Sequence, residues 1–185
     1  ESLPVTLVRG DLAEPGSIRL PGGIDVVVHA ASVASEQTGR EAAIRNIYQS
    51  TVNLVRHLAG QRAAPRRFVH LSSTLVLGYG GRGISESRPG RVKPRFWYTR
   101  AKEMTEEYLR RCWRDEGLPV VILRPSDVYG PNDRTMSLLV LDGIEAGVPP
   151  IVGHGNSVLS FCSVENLCQA CLLACSGRGE TGRAY

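Results

Sequence analysis

Short apolar runs alternate with helical patterns along the whole chain, and this alternation constrains the fold more than any other feature. Short runs at 24–29, 67–71 and 120–123 predict strands, and the first is rich in valine, as strands buried on both faces of a parallel sheet are. Between them, segments 42–58 and 98–115 place apolar residues at helical spacing and end close to a glycine. The pattern predicts an α/β fold with a mostly parallel sheet.

Further elements are expected on either side of this central part: a strand at 5–8, a helix at 138–146 and a short strand at 158–161. Segment 78–94 is rich in Gly, Arg and Pro and predicts an exposed loop. Ser163 is a suitable N-cap for a last helix, whose apolar stripe includes Cys168, Cys171 and Cys175. Because free cysteine packs as a small hydrophobe and no His stands at ligand spacing nearby, no metal site is predicted.

Composition disfavours several classes of protein. The chain has 185 residues, of which 42% are hydrophobic and 22% charged, and these values are typical of one globular domain. The net charge of +4 comes from scattered arginines without a groove-reading motif, so no nucleic-acid partner is predicted. No apolar run reaches the ~18 residues of a membrane span, and no membrane association is predicted. An odd number of cysteines without a visible secretory signal favours a reducing compartment, so a cytoplasmic location is expected.

Tyr98 and Lys102 carry the strongest chemical signal. Four residues make about one helical turn, so both side chains lie on one face of the predicted helix. An ammonium beside a phenol favours the phenolate and lowers its pKa from about 10, which suits a tyrosine for exchanging a proton with an alcohol oxygen. The alternative is a surface lysine beside a half-buried tyrosine. Because Lys93 and Lys102 are the only lysines in the chain, the functional interpretation is favoured.

Two segments follow predicted strands, where catalytic groups and ligands gather in open α/β sheets. Ser72 and Ser73 follow the strand at 67–71, and a hydroxyl there either contacts a substrate oxygen or satisfies backbone groups. Residues 124–131, with two prolines and a glycine, follow the strand at 120–123. They form a rigid loop that either lines one side of the binding site for a cofactor ring or is a simple turn.

Two more segments are candidates for contact with a nucleotide. Asp11, after the first expected strand, either accepts a hydrogen bond from an adenine amino group or caps a helix. Small residues let a ligand approach the backbone closely, and the strand at 24–29 is followed by three of them, Ala30, Ala31 and Ser32.

Taken together, these motifs resemble the extended short-chain dehydrogenase/reductases, a superfamily that includes nucleotide-sugar epimerases and dehydratases and 3β-hydroxysteroid dehydrogenases. They are, in chain order, Gly10-Asp11-Leu12, Val28 to Ser32, S-S-x-x-V-x-G from Ser72, Y-x-x-x-K from Tyr98, and R-P-x-x-V-Y-G-P from Arg124. The resemblance covers essentially all 185 residues. It implies a Rossmann-like, doubly wound parallel sheet.

The resemblance also implies roles for individual residues. Tyr98 is expected to be the catalytic acid/base, Lys102 to tune it and hold the nicotinamide ribose, and Ser73 to be the hydroxyl partner. The cofactor, NAD or NADP, is expected to contact the following residues: Asp11 and Leu12 at the adenine, Ala30 and Ala31 at the ribose and phosphates, Ser32, Lys102, and Pro125 and Val128 beside the nicotinamide.

The sequence also departs from the family pattern. Nothing in it matches the opening strand and G-x-x-G-x-x-G turn, so we expect an incomplete Rossmann-like domain over 1–185 that lacks the first βαβ unit, with 131–162 beginning the substrate-binding portion. Without the neighbouring strands, residues 5–8 are expected either to dock beside the strand at 24–29 or to detach. The helix motif N-x-x-G-T-x-N-L has Gln49 in place of Gly and one extra residue after Asn46, which leaves the role of Asn46 open.

The expected function is an NAD(P)-dependent oxidoreductase or epimerase that acts on a hydroxyl or keto group of a sugar nucleotide, a steroid-like compound or another small molecule. A dehydratase is disfavoured because Thr74 and Leu75, not an acidic residue, follow Ser73. The alternatives are a non-catalytic module that senses dinucleotides, and an inactive fragment of such an enzyme. A homodimer is a further expectation that rests on the family resemblance alone.

Overall fold

A three-stranded parallel sheet forms the centre of the molecule, with helices on both faces. The computed structural model describes residues 4–35, 37–61, 64–78, 83–87, 96–133, 136–148, 154–156 and 158–185. The sheet contains β1 (Val26–His29), β2 (Arg67–Leu71) and β3 (Val120–Leu123) in that order. Their register places Val27 beside Phe68 and Val69 beside Val121.

A long interrupted helix follows β1. It consists of α1 (Arg40–Ala43), a π-helical turn (Ile44–Gln49) and α2 (Ser50–Ala59). The predicted segment 42–58 is therefore helical, and the π-helical turn inside it is a feature that the apolar pattern did not predict. Gly60 ends the helix, as expected.

A second long helix, α3 (Trp97–Glu116), follows β2 and carries the predicted Tyr–Lys pair. It ends at Gly117, whose φ of +73° is the left-handed conformation that glycine adopts without strain. A 3₁₀-helix (Thr74–Leu77) stands between β2 and this helix. In the predicted loop 78–94, only residues 78 and 83–87 are described, and they form no helix or strand. The rest of that prediction lies outside the described residues.

The remaining elements are β4 (Asp127–Tyr129), α4 (Met136–Glu145), β5 (Phe161–Ser163) and α5 (Val164–Cys175). The strands β4 and β5 form a separate parallel pair in which Asp127 lies beside Phe161. The strand predicted at 158–161 is thus shifted toward the C-terminus, and the predicted loop 124–131 contains a strand. Ser163 accepts a hydrogen bond from the Asn166 amide at 3.4 Å, which confirms it as the N-cap of α5.

The core has one layer on each face of the central sheet. On one face α2 and α3 bury a cluster with β2 and β3: Leu54, Val55, Leu58, Phe68, Leu109, Cys112, Val120 and Ile122. On the other face α5 packs against Val69, Val121 and Leu123 through Ala174, Cys171 and Cys175. Cys171 and Cys175 therefore pack against the sheet, as predicted, whereas Cys168, predicted in the same apolar stripe, is exposed. Helices cover both faces of the parallel sheet. The predicted α/β, Rossmann-like fold is confirmed.

The two ends of the described chain differ in their relation to the sheet. Residues 5–8 form no strand, and the Val5 and Leu7 side chains are 76% and 83% exposed. The strand predicted there is wrong, and of the two expected outcomes the segment does not dock beside β1, because it pairs with no strand of the described chain. At the other end, the Ile122 amide donates to Arg183 O and the Tyr185 amide to Ile122 O, both at 3.0 Å, which adds an extended segment beside β3.

Candidate cofactor and catalytic site

The predicted site residues gather at the carboxyl edge of the central sheet. Ala30 to Ser32 follow β1, Ser72 and Ser73 follow β2, and Arg124 and Pro125 follow β3. Because the three strands are parallel and in register, these segments come to the same edge. Residues distant in the sequence are brought together there, as expected for an open α/β sheet.

Lys102 lies buried at this edge. Its side chain is 3% exposed, its Nζ donates to the Leu71 carbonyl at 2.8 Å, and the same atom lies 5.9 Å from the centre of the Tyr98 ring. Burial lowers the pKa of Lys102 from 10.5 to about 8, against an opposing effect of Glu106. The ammonium therefore stands next to Tyr98, as the spacing predicts, and it is less firmly protonated than an ordinary lysine.

The Tyr98 ring is half-buried at the beginning of α3. It packs with Trp97 and Val33 on a small cluster formed by Ala43, Ile47 and Ala101. The helix that follows β1 thus supports the ring from one side, while Lys102 lies one turn further along α3. This arrangement fixes the position of the phenol relative to the carboxyl edge of the sheet.

Ser72 and Ser73 have different roles. The Ser73 hydroxyl accepts from the Leu75 amide at 3.2 Å and caps the 3₁₀-helix that follows. This is the backbone-satisfying alternative, and it leaves the hydroxyl hydrogen free to be donated elsewhere. The Ser72 hydroxyl donates to Glu106 Oε1 at 2.6 Å.

Glu106 connects several parts of the site and was not singled out from the sequence. Its side chain is 2% exposed. It accepts hydrogen bonds from Ser72, from Arg124 Nε at 2.9 Å and Nη2 at 2.6 Å, and from Arg110 Nη2 at 3.0 Å. The bidentate pair with Arg124 joins α3 to the end of β3, and Ser72 joins both to the end of β2. The only local signal in the sequence is the position of Glu106 one helical turn after Lys102.

The Pro125 loop is fixed to the same edge. The Thr74 amide donates to Pro125 O at 3.0 Å, and the Ser72 amide donates to Leu123 O at 2.7 Å. Val128 lies in β4 and is partly buried. Pro125 therefore lies beside the serine segment.

A separate cleft of about 290 Å³ lies at the end of β1. It is lined by eight residues: Gly10, Asp11, Leu12, Ala31, Ser32, Val33, Asn46 and Ser50. Four of the predicted cofactor residues line it, namely Asp11, Leu12, Ala31 and Ser32. Ala30 is exposed and does not line the cleft. Pro125 and Lys102 lie at the carboxyl edge of the central sheet, and Val128 lies in β4. The predicted residues thus form two groups, one that lines or flanks the cleft and one that lies on α3 or in the segment after β3.

Asp11 is held in a defined orientation at the cleft. Its Oδ1 accepts from the Ala13 amide at 2.8 Å and its Oδ2 from Arg45 Nη2 at 2.8 Å. The Ala13 amide and the Arg45 guanidinium lower the pKa of the carboxyl below 3.8, so it is ionised at neutral pH. Asp11 stabilises a turn, not an α-helix, because residues 11–14 lead into a 3₁₀-helix at Pro15–Ser17.

Asn53 also supports this cleft and was missed as a site residue. Its Nδ2 donates to Leu12 O at 2.9 Å and to Ala13 O at 3.3 Å, and its side chain is nearly buried. The amide of Asn53 therefore ties the loop after residue 10 to α2. The motif that contains Asn53 was visible in the sequence, but its partner 41 residues earlier was not.

His29 and His70 form a buried pair near the carboxyl ends of β1 and β2. Their ring centres lie 5.3 Å apart, and His29 Nε2 is 2.8 Å from Thr51 Oγ1. Burial lowers the pKa of His29 to about 4 and that of His70 well below its usual value. Both rings are therefore neutral at pH 7, which agrees with a structural role.

The described part of the chain offers neither a membrane span nor a metal site. None of its helices is long and apolar enough to cross a membrane. Likewise, no group of three or more His, Cys, Asp or Glu among those residues is arranged to hold a metal ion.

A parallel sheet covered by helices on both faces, with small residues and a ligand-sized cleft at its carboxyl edge, defines the doubly wound nucleotide-binding class of α/β proteins. The chain belongs to the NAD dependent epimerase/dehydratase family, whose family model matches residues 1–185. This confirms the predicted relationship to the extended short-chain dehydrogenase/reductases. The family description names NAD, in agreement with the expected cofactor class.

Individual relatives agree with the family assignment. A 3-beta-hydroxysteroid dehydrogenase from Mycolicibacterium neoaurum is 29% identical over 98% of this chain and 53% of its own length. The structure of RMD from Pseudomonas aeruginosa complexed with NADPH has a TM-score of 0.80 and 26% identity, over 99% of this chain and 67% of that one.

A dTDP-glucose 4,6-dehydratase from Streptomyces venezuelae, solved with NAD bound, has a TM-score of 0.78 and 25% identity, over 95% of this chain and 56% of that one. The chain spans about half the length of the curated relatives it matches.

Proposed function

We propose that this chain forms part of an NAD(P)-dependent oxidoreductase or epimerase. In this proposal the carboxyl edge of the central sheet is the catalytic edge, and the cleft at the end of β1 is the adenosine cleft. The observation that carries the proposal is the position of Lys102, a buried ammonium at the carboxyl edge of β2 with its nitrogen 5.9 Å from the centre of the Tyr98 ring. Among the described residues none forms an ion pair with Lys102, and a buried lysine of this kind is costly unless it serves a ligand or a neighbouring group.

The residues present fit a nicotinamide dinucleotide. Asp11, Leu12, Ala31 and Ser32 line a cleft at the end of β1, where they would hold the adenosine end. Lys102, Pro125 and Val128 would hold the nicotinamide end, with Ala30 between the two. When bound, the cofactor supplies a ring carbon that accepts or donates hydride.

The roles proposed for the protein groups follow from this arrangement. Tyr98 exchanges a proton with the substrate oxygen, and Lys102 stabilises the phenolate form of Tyr98. Ser73, whose hydroxyl oxygen already accepts the Leu75 amide, donates its hydrogen to the same substrate oxygen. The substrate is an alcohol or ketone of a small molecule, of the sugar-nucleotide or steroid type that the names of the relatives indicate.

The extent of the domain and its assembly are part of the same proposal. Residues 1–185 form part of an NAD(P)-binding domain, and 131–162 begin the region that contacts the substrate. Five free cysteines, of which four lie in or beside α5, support a cytoplasmic location because reduced thiols persist there. A homodimer is proposed by analogy with the family.

A non-catalytic dinucleotide sensor is the second candidate. It would need the adenosine cleft but neither the tyrosine nor the buried lysine. Since both residues are retained and lie side by side, the enzyme is favoured. A dehydratase is disfavoured because Thr74 and Leu75 begin the 3₁₀-helix after Ser73 and neither is acidic.

Calorimetric titration of NAD and NADP into the 185-residue chain tests the proposal. We expect binding that weakens in Lys102→Ala and is unchanged in Arg56→Ala, a variant of an exposed cation on α2 away from both groups of site residues. Absence of binding in the wild-type chain contradicts the proposal. Binding that is insensitive to Lys102→Ala assigns the chain to the sensor alternative.

A further inference from the structure

Arg45 occupies an unusual position at the adenosine cleft, and no motif in the sequence singled it out. Its Nη1 donates to Asn46 Oδ1 at 3.1 Å, and its Nη2 donates to Asp11 Oδ2 at 2.8 Å and to Glu14 Oε1 at 2.9 Å. Asp11 and Asn46 both line the cleft. Arg45 therefore joins the side chains of two lining residues that come from different segments of the chain.

The π-helical turn at Ile44–Gln49 explains how Arg45 and Asn46 reach the cleft. A π-helical turn closes its hydrogen bonds from residue i+5 to residue i, so it accommodates one extra residue within an α-helix, and such turns occur frequently at functional sites. The Ser50 amide bonds back to Arg45 O across this turn. The extra residue between Asn46 and Asn53 is absorbed here, so that Asn46 lines the cleft while Asn53 stays on the buried face of α2.

The carboxylate of Asp11 retains capacity for a ligand. Each of its oxygens accepts one hydrogen bond within the protein, from the Ala13 amide and from Arg45, and each has a second lone pair. With both oxygens anchored, the carboxylate cannot rotate away without breaking a contact to a cation. A fixed, ionised acceptor beside an open cleft suits a donor such as an aromatic amino group.

We propose that Arg45 is a positioning residue for adenine recognition, which holds the Asp11 carboxylate where it accepts the exocyclic amino group of adenine. This inference rests on the proposed function. It adds to that function a residue outside the motifs and an explanation for the π-helical turn.

An amino-group discrimination assay tests the inference. NAD is compared with nicotinamide hypoxanthine dinucleotide, in which a carbonyl replaces the adenine amino group, by calorimetry on the wild-type chain, on Arg45→Ala and on Arg45→Lys. We expect the wild-type chain to prefer NAD by about tenfold, the value of one charge-assisted hydrogen bond. The preference should disappear in Arg45→Ala through weaker NAD binding, and Arg45→Lys should restore part of it.

Arg56→Ala is the matched control, since it removes the same charge from the same helical run at an exposed position away from the cleft. Arg45 is itself partly exposed, with 43% of its side chain accessible, so its replacement should leave the unfolding temperature nearly unchanged. The inference is overturned if the ratio of the affinities for NAD and for the hypoxanthine dinucleotide is unchanged in Arg45→Ala, or if the wild-type chain does not prefer NAD. Either result leaves the proposed function intact. Failure of both dinucleotides to bind overturns the proposed function and the inference with it.

Discussion

Removal of the charge on Glu106 should strongly destabilise the fold. The substitution Glu106→Gln leaves Arg124, whose side chain is 8% exposed, without this carboxylate as its counter-ion. Breaking a buried ion pair by removing one partner costs about 3–5 kcal/mol. That is a large share of the about 5–15 kcal/mol that stabilises a domain. At a urea slope of about 2 kcal/mol per molar, the unfolding midpoint should fall by about 1.5–2.5 M.

The structure also supplies the controls. Glu107→Gln removes an equal charge from an exposed neighbour on α3 and should change stability by less than about 0.5 kcal/mol. Arg110 pairs with Glu106 from the surface, with 37% of its side chain exposed. Arg110→Ala should therefore lower the free energy of unfolding by less than about 1 kcal/mol. Urea unfolding monitored by circular dichroism measures all three. A midpoint for Glu106→Gln within error of that for Glu107→Gln would refute the argument that this network holds the edge together.

Three other predictions concern buried titratable groups and the C-terminal segment. Because burial lowers the pKa of Lys102 from 10.5 to about 8, the unfolded chain binds more protons between these pH values. Wild-type stability relative to Lys102→Met should therefore rise from pH 8 to 10 in urea titrations, and a constant difference would argue against the buried ammonium. The pKa of His29 is lowered from 6.5 to about 4, so its contribution is complete above pH 6.5 and is lost as the pH falls toward 4. In His29→Gln the free energy of unfolding should therefore fall less steeply as the pH is lowered from 6.5 to 4. An unchanged pH dependence in this range would contradict the burial of His29. Gly182 has a φ of +82°, and a Cβ there would lie 2.5 Å from the Trp113 ring; Gly182→Ala should cost more than about 1 kcal/mol in thermal unfolding. Gly16→Ala, where nothing lies within 4 Å of the added atom, is its control, and equal effects would mean that the C-terminal segment does not pack as described.

The central sheet was predictable because its strands are short apolar runs that need both faces covered. β1, β2 and β3 fall within the predicted segments, and β1 begins two residues later than expected, at Val26. Residues 5–8 have the same apolar character but form no strand. Backbone hydrogen bonds require a neighbour, and local composition contains no information about whether one is present.

The pairing of β4 with β5 could not be read from the sequence. Each strand has three residues, and Asp127 lies beside Phe161 across a separation of more than thirty positions. Segments so short carry too few alternations to identify a strand or to fix its register. The predicted strand at 158–161 was therefore displaced, and the strand inside 124–131 was not predicted.

The candidate site was predictable where one short motif carries the chemistry, as for Tyr98 and Lys102. The residues that hold the site together are joined across long sequence separations. Glu106 contacts Ser72 and Arg124, 34 and 18 residues away, and Arg45 contacts Asp11 at a separation of 34. Such partners become visible only when the fold brings the segments together. The extra residue after Asn46 was visible, but its accommodation in a π-helical turn was not.

The most direct test of the account is a map of where NAD contacts the chain, obtained from backbone amide chemical shifts during a titration. We predict concentrated shifts at the cleft residues Gly10, Asp11, Ala31 and Asn46 and at Lys102. Little change is expected in α5 (Val164–Cys175), which covers the face of the sheet opposite to α2 and α3. Shifts confined to that opposite helix, or an unchanged spectrum at saturating NAD, would contradict the assignment of the carboxyl edge as the cofactor site.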